Sequence, residues 1–283
     1  MEFIRLYKTL SGIFAYYQDR YYKMEQDWDA LVNSPELFNS LRTALGSLSP
    51  DTGAEEAIRS GLLPPIGTQE IWAAGVTYFR SKVARMEESE VSGGATFYDM
   101  VYEADRPELF FKAIAQRTSG HGQAVYIRKD STWNVPEPEL TLFMNRTGDI
   151  QGYTIGNDMS SRSIEGENPL YLPQAKVYEK SAAIGPCLLV PEAPLPATTS
   201  ITMQILRDGE VRYDDAVPIS QMKRGHEELA GYLFRECDFP QGCYLMTGTC
   251  LVPDSSFTLQ ENDVVEISIA PIGKLVNTIA IKK

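Results

Sequence analysis

The chain has 283 residues, 43% of them hydrophobic and 23% charged, enough to bury a large core in one big domain plus a small one. Its net charge of -12 argues against a nucleic-acid binder, which needs a basic face for phosphates, yet leaves room for an anionic small molecule beside a local cation. No apolar run approaches a membrane span, and the N-terminus lacks the basic-then-apolar layout of a secretion signal, so a cytoplasmic protein is expected.

In chain order, residues 3–7 alternate like a short strand, and a tyrosine-rich segment follows from Tyr16 to Tyr22. Pro35, just after Asn33 and Ser34, sits in the first turn of a helix expected over 36–45. The stretch 62–67 contains Pro64, Pro65 and Gly67 and reads as a stiff linker. It divides a small N-terminal α+β domain, 1–66, from a main domain, 67–283. The N-terminal part shows no chemistry and reads as a packing or oligomer-contact module. Residues 71–76 form a short apolar run that suits a buried strand. Residues 81–96 carry Lys82, Arg85 and the pair Gly93-Gly94, a pattern that fits either a mobile lid or a surface loop. Residues 98–116 have helical spacing, broken near Pro107.

From residue 138 onward the pattern is mainly β. Strands are expected at 139–144 and 152–155, with a hairpin of 200–206 and 211 onward turning at Asp208-Gly209. An amphipathic helix is expected over 221–237, then strands at 243–246, 264–270 and 275–281. Several β runs with few crossover helices favour a β-rich, barrel-like sheet over a doubly wound nucleotide fold. No phosphate-binding glycine motif and no internal repeat occurs. Cys187, Cys237, Cys243 and Cys250 include no C-x-x-C pair and read as buried small hydrophobes. Of the two histidines, His121 lies in a loop and His226 in the expected helix, where an exposed role suits it better than catalysis.

Three carboxylates look placed for chemistry. On a strand beginning near Pro138, Glu137 and Glu139 point to one face, because side chains alternate with period two. Pro138 lacks a backbone donor and marks the strand start. Asp158 ends the run that begins at Gly152. Three hard oxygen donors at strand ends suit Mg²⁺, Mn²⁺ or Ca²⁺. The alternative is ordinary acidic surface in a chain with 38 Asp and Glu residues.

Around these carboxylates, an ordered set of motifs resembles the fumarylacetoacetate hydrolase family over most of 67–283. The set runs from Arg106-Pro107-Glu108-Leu109-Phe110-Phe111-Lys112 through Glu137-Pro138-Glu139-Leu140 to the stretch 152–158. It continues with Ser161-Arg162, Lys176, Gly185-Pro186, Thr247-Gly248-Thr249 and the stretch 262–267. The resemblance implies a β-roll core with a small N-terminal domain, and a dimer or tetramer. It implies that Glu137, Glu139 and Asp158 bind the divalent metal. It points to Thr249 as the hydroxyl that anchors a substrate carboxylate, with Gly248 letting backbone approach. Arg80 and Ser81 are expected to close over that carboxylate from the lid; the alternatives are a solvated loop for Arg80 and a surface turn for Thr247-Gly248-Thr249. Arg162 either joins the substrate site or holds the acidic ligands from behind. Lys176 is a base at C3 or a charge-pairing residue. Glu108 is a second acid/base acting through water, or a cap for its local segment.

Within the family the chain is similar to the dehydratases of 2-keto-3-deoxy-arabinonate. Val76-Thr77-Tyr78, Arg80-Ser81, residues 163–174 and Lys176 carry this likeness. The C–C bond hydrolases of the family usually place a His in the lid after the position of Tyr78, and residues 78–84 contain none. The likeness therefore implies a metal-dependent dehydratase that turns a small anionic 2-keto-3-deoxy sugar acid into a 2,5-dioxo acid in pentose catabolism. The alternatives are a C–C bond hydrolase of a diketo acid, and a catalytically silent binding or scaffold protein.

Overall fold

The computed structural model describes residues 1–79 and 100–283. Arg80, Ser81 and the expected lid over 81–96 lie outside the described residues. The chain opens with a meander of β1 (Phe3–Thr9), β2 (Gly12–Tyr17) and β3 (Arg20–Met24). The tyrosine-rich segment is thus a tight hairpin. Gln18 and Asp19 form its two-residue turn at φ of 48° and 59°, the left-handed values that match strand twist. Three short helices follow, Trp28–Val32, Leu37–Leu45 and Ala54–Gly61. The middle one buries Leu37, Phe38, Leu41 and Leu45, an apolar stripe at helical spacing.

The next strands are β4 (Glu70–Gly75), β5 (Glu108–Ile114), β6 (Thr118–Ser119), β7 (Ala124–Ile127) and β8 (Asn134–Val135). Then come β9 (Pro138–Met144), β10 (Ile150–Asp158), β11 (Ser160–Ser161) and β12 (Ala182–Pro191). Last are β13 (Ser200–Arg207), β14 (Glu210–Pro218), β15 (Cys243–Met246), β16 (Val264–Ile269) and β17 (Gly273–Ile281). The main sheet runs β3-β2-β1-β12-β10-β9-β15-β4-β5, with β6 also paired to β12. A second sheet runs β14-β13-β16-β17-β7, and β8 pairs with β11. Among the described residues the paths are open at both ends, so the barrel-like expectation gives way to an open β-rich α+β architecture.

Each face of the main sheet has its own core. One gathers Leu140, Leu142, Ile155 and Leu189 with Met203, Ile267 and Leu275 of the second sheet. The other gathers Ile71, Phe143, Ile184 and Tyr244 with Trp28, Leu31 and Leu41 of the N-terminal helices. β9, buried along its whole length, is sandwiched between the two cores. The β1–β3 meander extends the main sheet, because β1 pairs with β12, Phe3 opposite Pro191 and Leu6 opposite Leu188.

Three expectations fail in whole or in part, for physical reasons. The helical spacing of 98–116 holds at 100–103, before Pro107, but beyond it yields the strand β5, because pairing with β4 puts Glu108 opposite Gly75 and overrides local preference. The helix expected over 221–237 is only His226–Leu233, capped at Gly225 and weakened inside by Gly231. Cys237 is exposed, since it falls beyond that shortened helix, while the other three cysteines are buried. His226 is half-buried, and its ring centroid stands 6.3 Å from that of Tyr153. Among the described residues, no helix is long and apolar enough to cross a membrane.

Candidate metal centre

The β9–β10 ladder builds the centre. Gly156 stands opposite Glu139, and the Asp158 amide donates to the Glu137 carbonyl at 2.9 Å. Two adjacent strand ends thereby bring three carboxylates together from residues 19 to 21 apart in sequence, or two apart within the pair. Glu137, Glu139 and Asp158 are 3%, 1% and 1% exposed, and each offers an oxygen within 4.8 Å of the others'. The acidic-surface alternative is therefore excluded: these groups are buried.

Donors surround the trio. The Lys176 ammonium bonds to Glu137 Oε2 and stands 3.3 Å from Asp158 Oδ2. Arg162 Nη2 donates to Glu137 Oε1 at 2.6 Å, and its Nε lies 3.8 Å from Glu165 Oε2. Ser160 Oγ donates to that same Glu165 oxygen at 2.7 Å. Lys112 Nζ pairs with Asp158 Oδ1 at 2.5 Å. The Gly248 amide donates to Glu139 Oε2 at 2.6 Å. Gly248 sits at φ 95°, and a Cβ there would come 2.0 Å from Thr77 Oγ1, so glycine is required at this approach.

Burial sets the protonation pattern. Desolvation, then the charges of Asp158 and Glu137, push the Glu139 carboxyl well above its usual range. Burial also pushes Asp158 up, but the ammonium groups of Lys112 and Lys176 outweigh it and hold that carboxyl below its usual range. Burial draws Lys112 below the usual lysine value, against the pull of Asp158.

The donor set fits a hard divalent cation. It is all oxygen, convergent and shielded from water. Four buried carboxylates, Glu137, Glu139, Asp158 and Glu165, face three buried cations, Lys112, Lys176 and Arg162. Fully ionised, they carry one uncompensated negative charge. A divalent ion together with a monoanionic ligand would leave the set neutral.

The expected site residues divide as follows. Lys176, Arg162, Gly248 and Thr249 line the same small cavity as the three carboxylates. Arg162 meets Glu137 and Glu165 and also lines the cavity, a placement that fits both roles expected of it. The backbone that Gly248 lets approach meets Glu139. Thr249 Oγ1 accepts from the Leu251 amide at 3.2 Å, which leaves its own proton to donate. Glu108 does not line the cavity directly. Its carboxylate lies where Gly75 would carry a side chain, 2.0 Å from an ideal Cβ, and its Oε2 is buried without a hydrogen-bond partner among the described residues.

Lys112, Glu165 and Val76 stand within the matched motifs, but the sequence alone assigns them no role. Lys112 was hidden by the helical interpretation of its segment; strand alternation puts 108, 110 and 112 on one face. Val76 lines the cavity at φ 53°, a strained left-handed conformation for a β-branched residue.

Fold and centre together define a β-rich protein with a buried carboxylate centre for a hard divalent cation. The chain belongs to the fumarylacetoacetate hydrolase family: the family's "Fumarylacetoacetate (FAA) hydrolase C-terminal" profile matches residues 71–280. It is 53% identical over 216 residues to the probable 2-keto-3-deoxyxylonate dehydratase of Haloferax volcanii, covering 76% of this chain and 73% of the relative. It is 42% identical over 217 residues to the 2-dehydro-3-deoxy-D-arabinonate dehydratase of Saccharolobus solfataricus, with the same two shares. A solved 2-keto-3-deoxy-D-arabinonate dehydratase, complexed with magnesium and 2,5-dioxopentanoate, superposes with a TM-score of 0.82 at 32% identity over all of both chains.

Proposed function

We propose that this protein is a Mg²⁺-dependent hydro-lyase that converts a 2-keto-3-deoxy sugar acid to a 2,5-dioxo acid. The observation that carries the reading is the buried trio Glu137, Glu139 and Asp158 with the Lys176 ammonium in contact with two of its members. The dehydratase names of two relatives, and the magnesium and dioxo acid bound in a structural neighbour, support the substrate class.

Glu137, Glu139 and Asp158 hold the ion. When bound, Mg²⁺ supplies Lewis-acid polarisation of the 2-keto oxygen and counter-charge for the substrate acid. Thr249 donates its hydroxyl proton to the substrate carboxylate. Lys176, beside the carboxylates and lining the cavity, acts as its neutral amine, one ammonium proton having left to solvent, and takes the proton from C3. The C4 hydroxyl leaves as water, taking up a proton as its C–O bond breaks. A proton then moves from C5 to C3, and the resulting C4–C5 enol becomes the aldehyde. Glu108, with one buried oxygen unpartnered among the described residues, serves these later transfers through water. Arg162 and Lys112 fix the ligand carboxylates. Arg80 and Ser81 complete the grip on the acid from the lid. Residues 1–66 act as a packing domain against the catalytic domain 67–283, and the protein works as a homo-oligomer in pentose catabolism.

The test is incubation with a 2-keto-3-deoxy-pentonate and Mg²⁺. The reading expects a 2,5-dioxo acid, and loss of turnover on chelation that added Mg²⁺ restores. Unchanged turnover after complete chelation sinks it.

A further inference from the structure

Each ligand carboxylate has one oxygen engaged by a fixed group of the protein. Arg162 donates to Glu137 Oε1 and the Gly248 amide to Glu139 Oε2, while Lys112 stands against Asp158 Oδ1 at 2.5 Å as an ion pair outside hydrogen-bond alignment. The remaining oxygens are Glu137 Oε2, Glu139 Oε1 and Asp158 Oδ2. Lys176 contacts two of these three.

Lys112 is firmly set. It is 0% exposed. Its ammonium donates to the Met159 carbonyl at 2.9 Å and the Lys176 carbonyl at 2.5 Å. These two hydrogen bonds fix the charge beside Asp158 Oδ1. It cannot turn away from Asp158 without abandoning a buried carbonyl, which is costly.

We infer that Lys112 is a metal-selectivity residue: by occupying one oxygen of Asp158, it keeps that ligand monodentate and favours Mg²⁺ or Mn²⁺ over Ca²⁺. The physical reason is coordination number. Mg²⁺ demands a tight octahedron and readily uses single carboxylate oxygens with water or substrate completing it. Ca²⁺ gathers a larger shell at longer distances, often through both oxygens of a carboxylate. A centre whose carboxylates each present one oxygen supplies the first ion well and the second poorly. Removing the brace from Asp158 frees its second oxygen for the larger ion. This inference rests on the trio being a metal centre, as proposed above.

The test is titration calorimetry of Mg²⁺ and Ca²⁺ into wild type and Lys112→Met, with circular dichroism to confirm folding. Methionine keeps most of the stem and removes all three donors. Losing a nearby positive charge strengthens both ions, so the ratio of affinities is the readout. Ca²⁺ gains on Mg²⁺ by roughly tenfold or more in the variant. A folded variant that falls short of that gain overturns the inference. A purely structural role for Lys112 weakens both ions alike and leaves the ratio where it was. If Lys112→Met does not fold, Lys112→Gln is titrated the same way. Infrared difference spectra of wild type with isotope-labelled aspartate then decide independently: a monodentate signature on Mg²⁺ addition supports the inference, and a bidentate one overturns it. Wild type that binds neither ion sinks the metal reading itself, which is a separate outcome.

Discussion

Lys176 and Asp158 are tied together twice. The Lys176 ammonium stands 3.3 Å from Asp158 Oδ2, and the Lys176 carbonyl accepts from Lys112, whose ammonium pairs with Asp158 Oδ1 at 2.5 Å. A ligand carboxylate and the proposed base therefore move as one unit. A rigid pair of this kind sets the distance between the ion and the atom that loses its proton, and geometry of that order decides rates.

Replacing Lys176 by Met should lower kcat by roughly 10²–10⁴-fold, the usual contribution of a positioned base. Metal affinity should hold or rise, since a cation competing for Glu137 and Asp158 is gone. Exchange of the C3 proton with deuterated solvent checks the assignment directly. Exchange at the wild-type rate would remove Lys176 as the base.

Glu139 gives a pH signature. Burial first, then Asp158 and Glu137, raise its pKa well above the usual carboxylate range. The sign follows from linkage. A raised carboxyl binds its proton more tightly in the folded chain than in the unfolded one. Its stabilising contribution to the ion-free protein is present at low pH and lost as pH rises through the folded pKa. An entering ion must displace that proton. Mg²⁺ affinity should therefore fall as pH is lowered, with proton release detectable by calorimetry in buffers of different ionisation enthalpy. Glu139→Gln should abolish high-affinity binding. Full activity and pH-independent binding in that variant would refute Glu139 as a ligand.

Thr249→Val preserves shape and removes the donor. A hydrogen bond to a charged group is worth about 1.5–3 kcal/mol, so kcat/KM should fall roughly 10- to 100-fold. Mg²⁺ binding should be untouched, because Thr249 supplies no ligand. A loss of metal affinity equal to the loss of activity would place its role elsewhere.

Gly75→Ala tests Glu108 without touching it. The new methyl would sit 2.0 Å from Glu108 Oε2, the far end of a flexible side chain, so the carboxylate yields while the fold survives. Turnover should drop about tenfold or more if Glu108 moves protons, the lower range of acid–base catalysis. Thermal melting should change little. Wild-type turnover in a folded Gly75→Ala protein would leave Glu108 as a local structural residue.

The centre was more legible in sequence than its surroundings. Glu137 and Glu139 sit two apart on a strand, so period two alone puts them on one face. Their meeting with Asp158 needed only one antiparallel register. Lys112 was not legible, because Arg106 to Lys112 reads equally as helix, and only pairing with β4 fixes it as a strand. The turn at Gln18-Asp19 lacks the usual Asn-Gly signal, so a hairpin looked like a tyrosine-rich run. The helix at 226–233 was overextended because capping at Gly225 is a backbone matter that periodicity does not report. Arg162 is ambiguous by nature: a buried arginine between two acids and a substrate-binding arginine share one sequence pattern, and in the fold it both meets Glu137 and Glu165 and lines the cavity.

The most direct measurement compares two substrates under one condition. Purified protein with Mg²⁺ is given a 2-keto-3-deoxy-pentonate in one tube and an acylpyruvate in another, and products are read by nuclear magnetic resonance. The account predicts a 2,5-dioxo acid from the first and no cleavage of the second. Pyruvate from the acylpyruvate, with the sugar acid left intact, would contradict it.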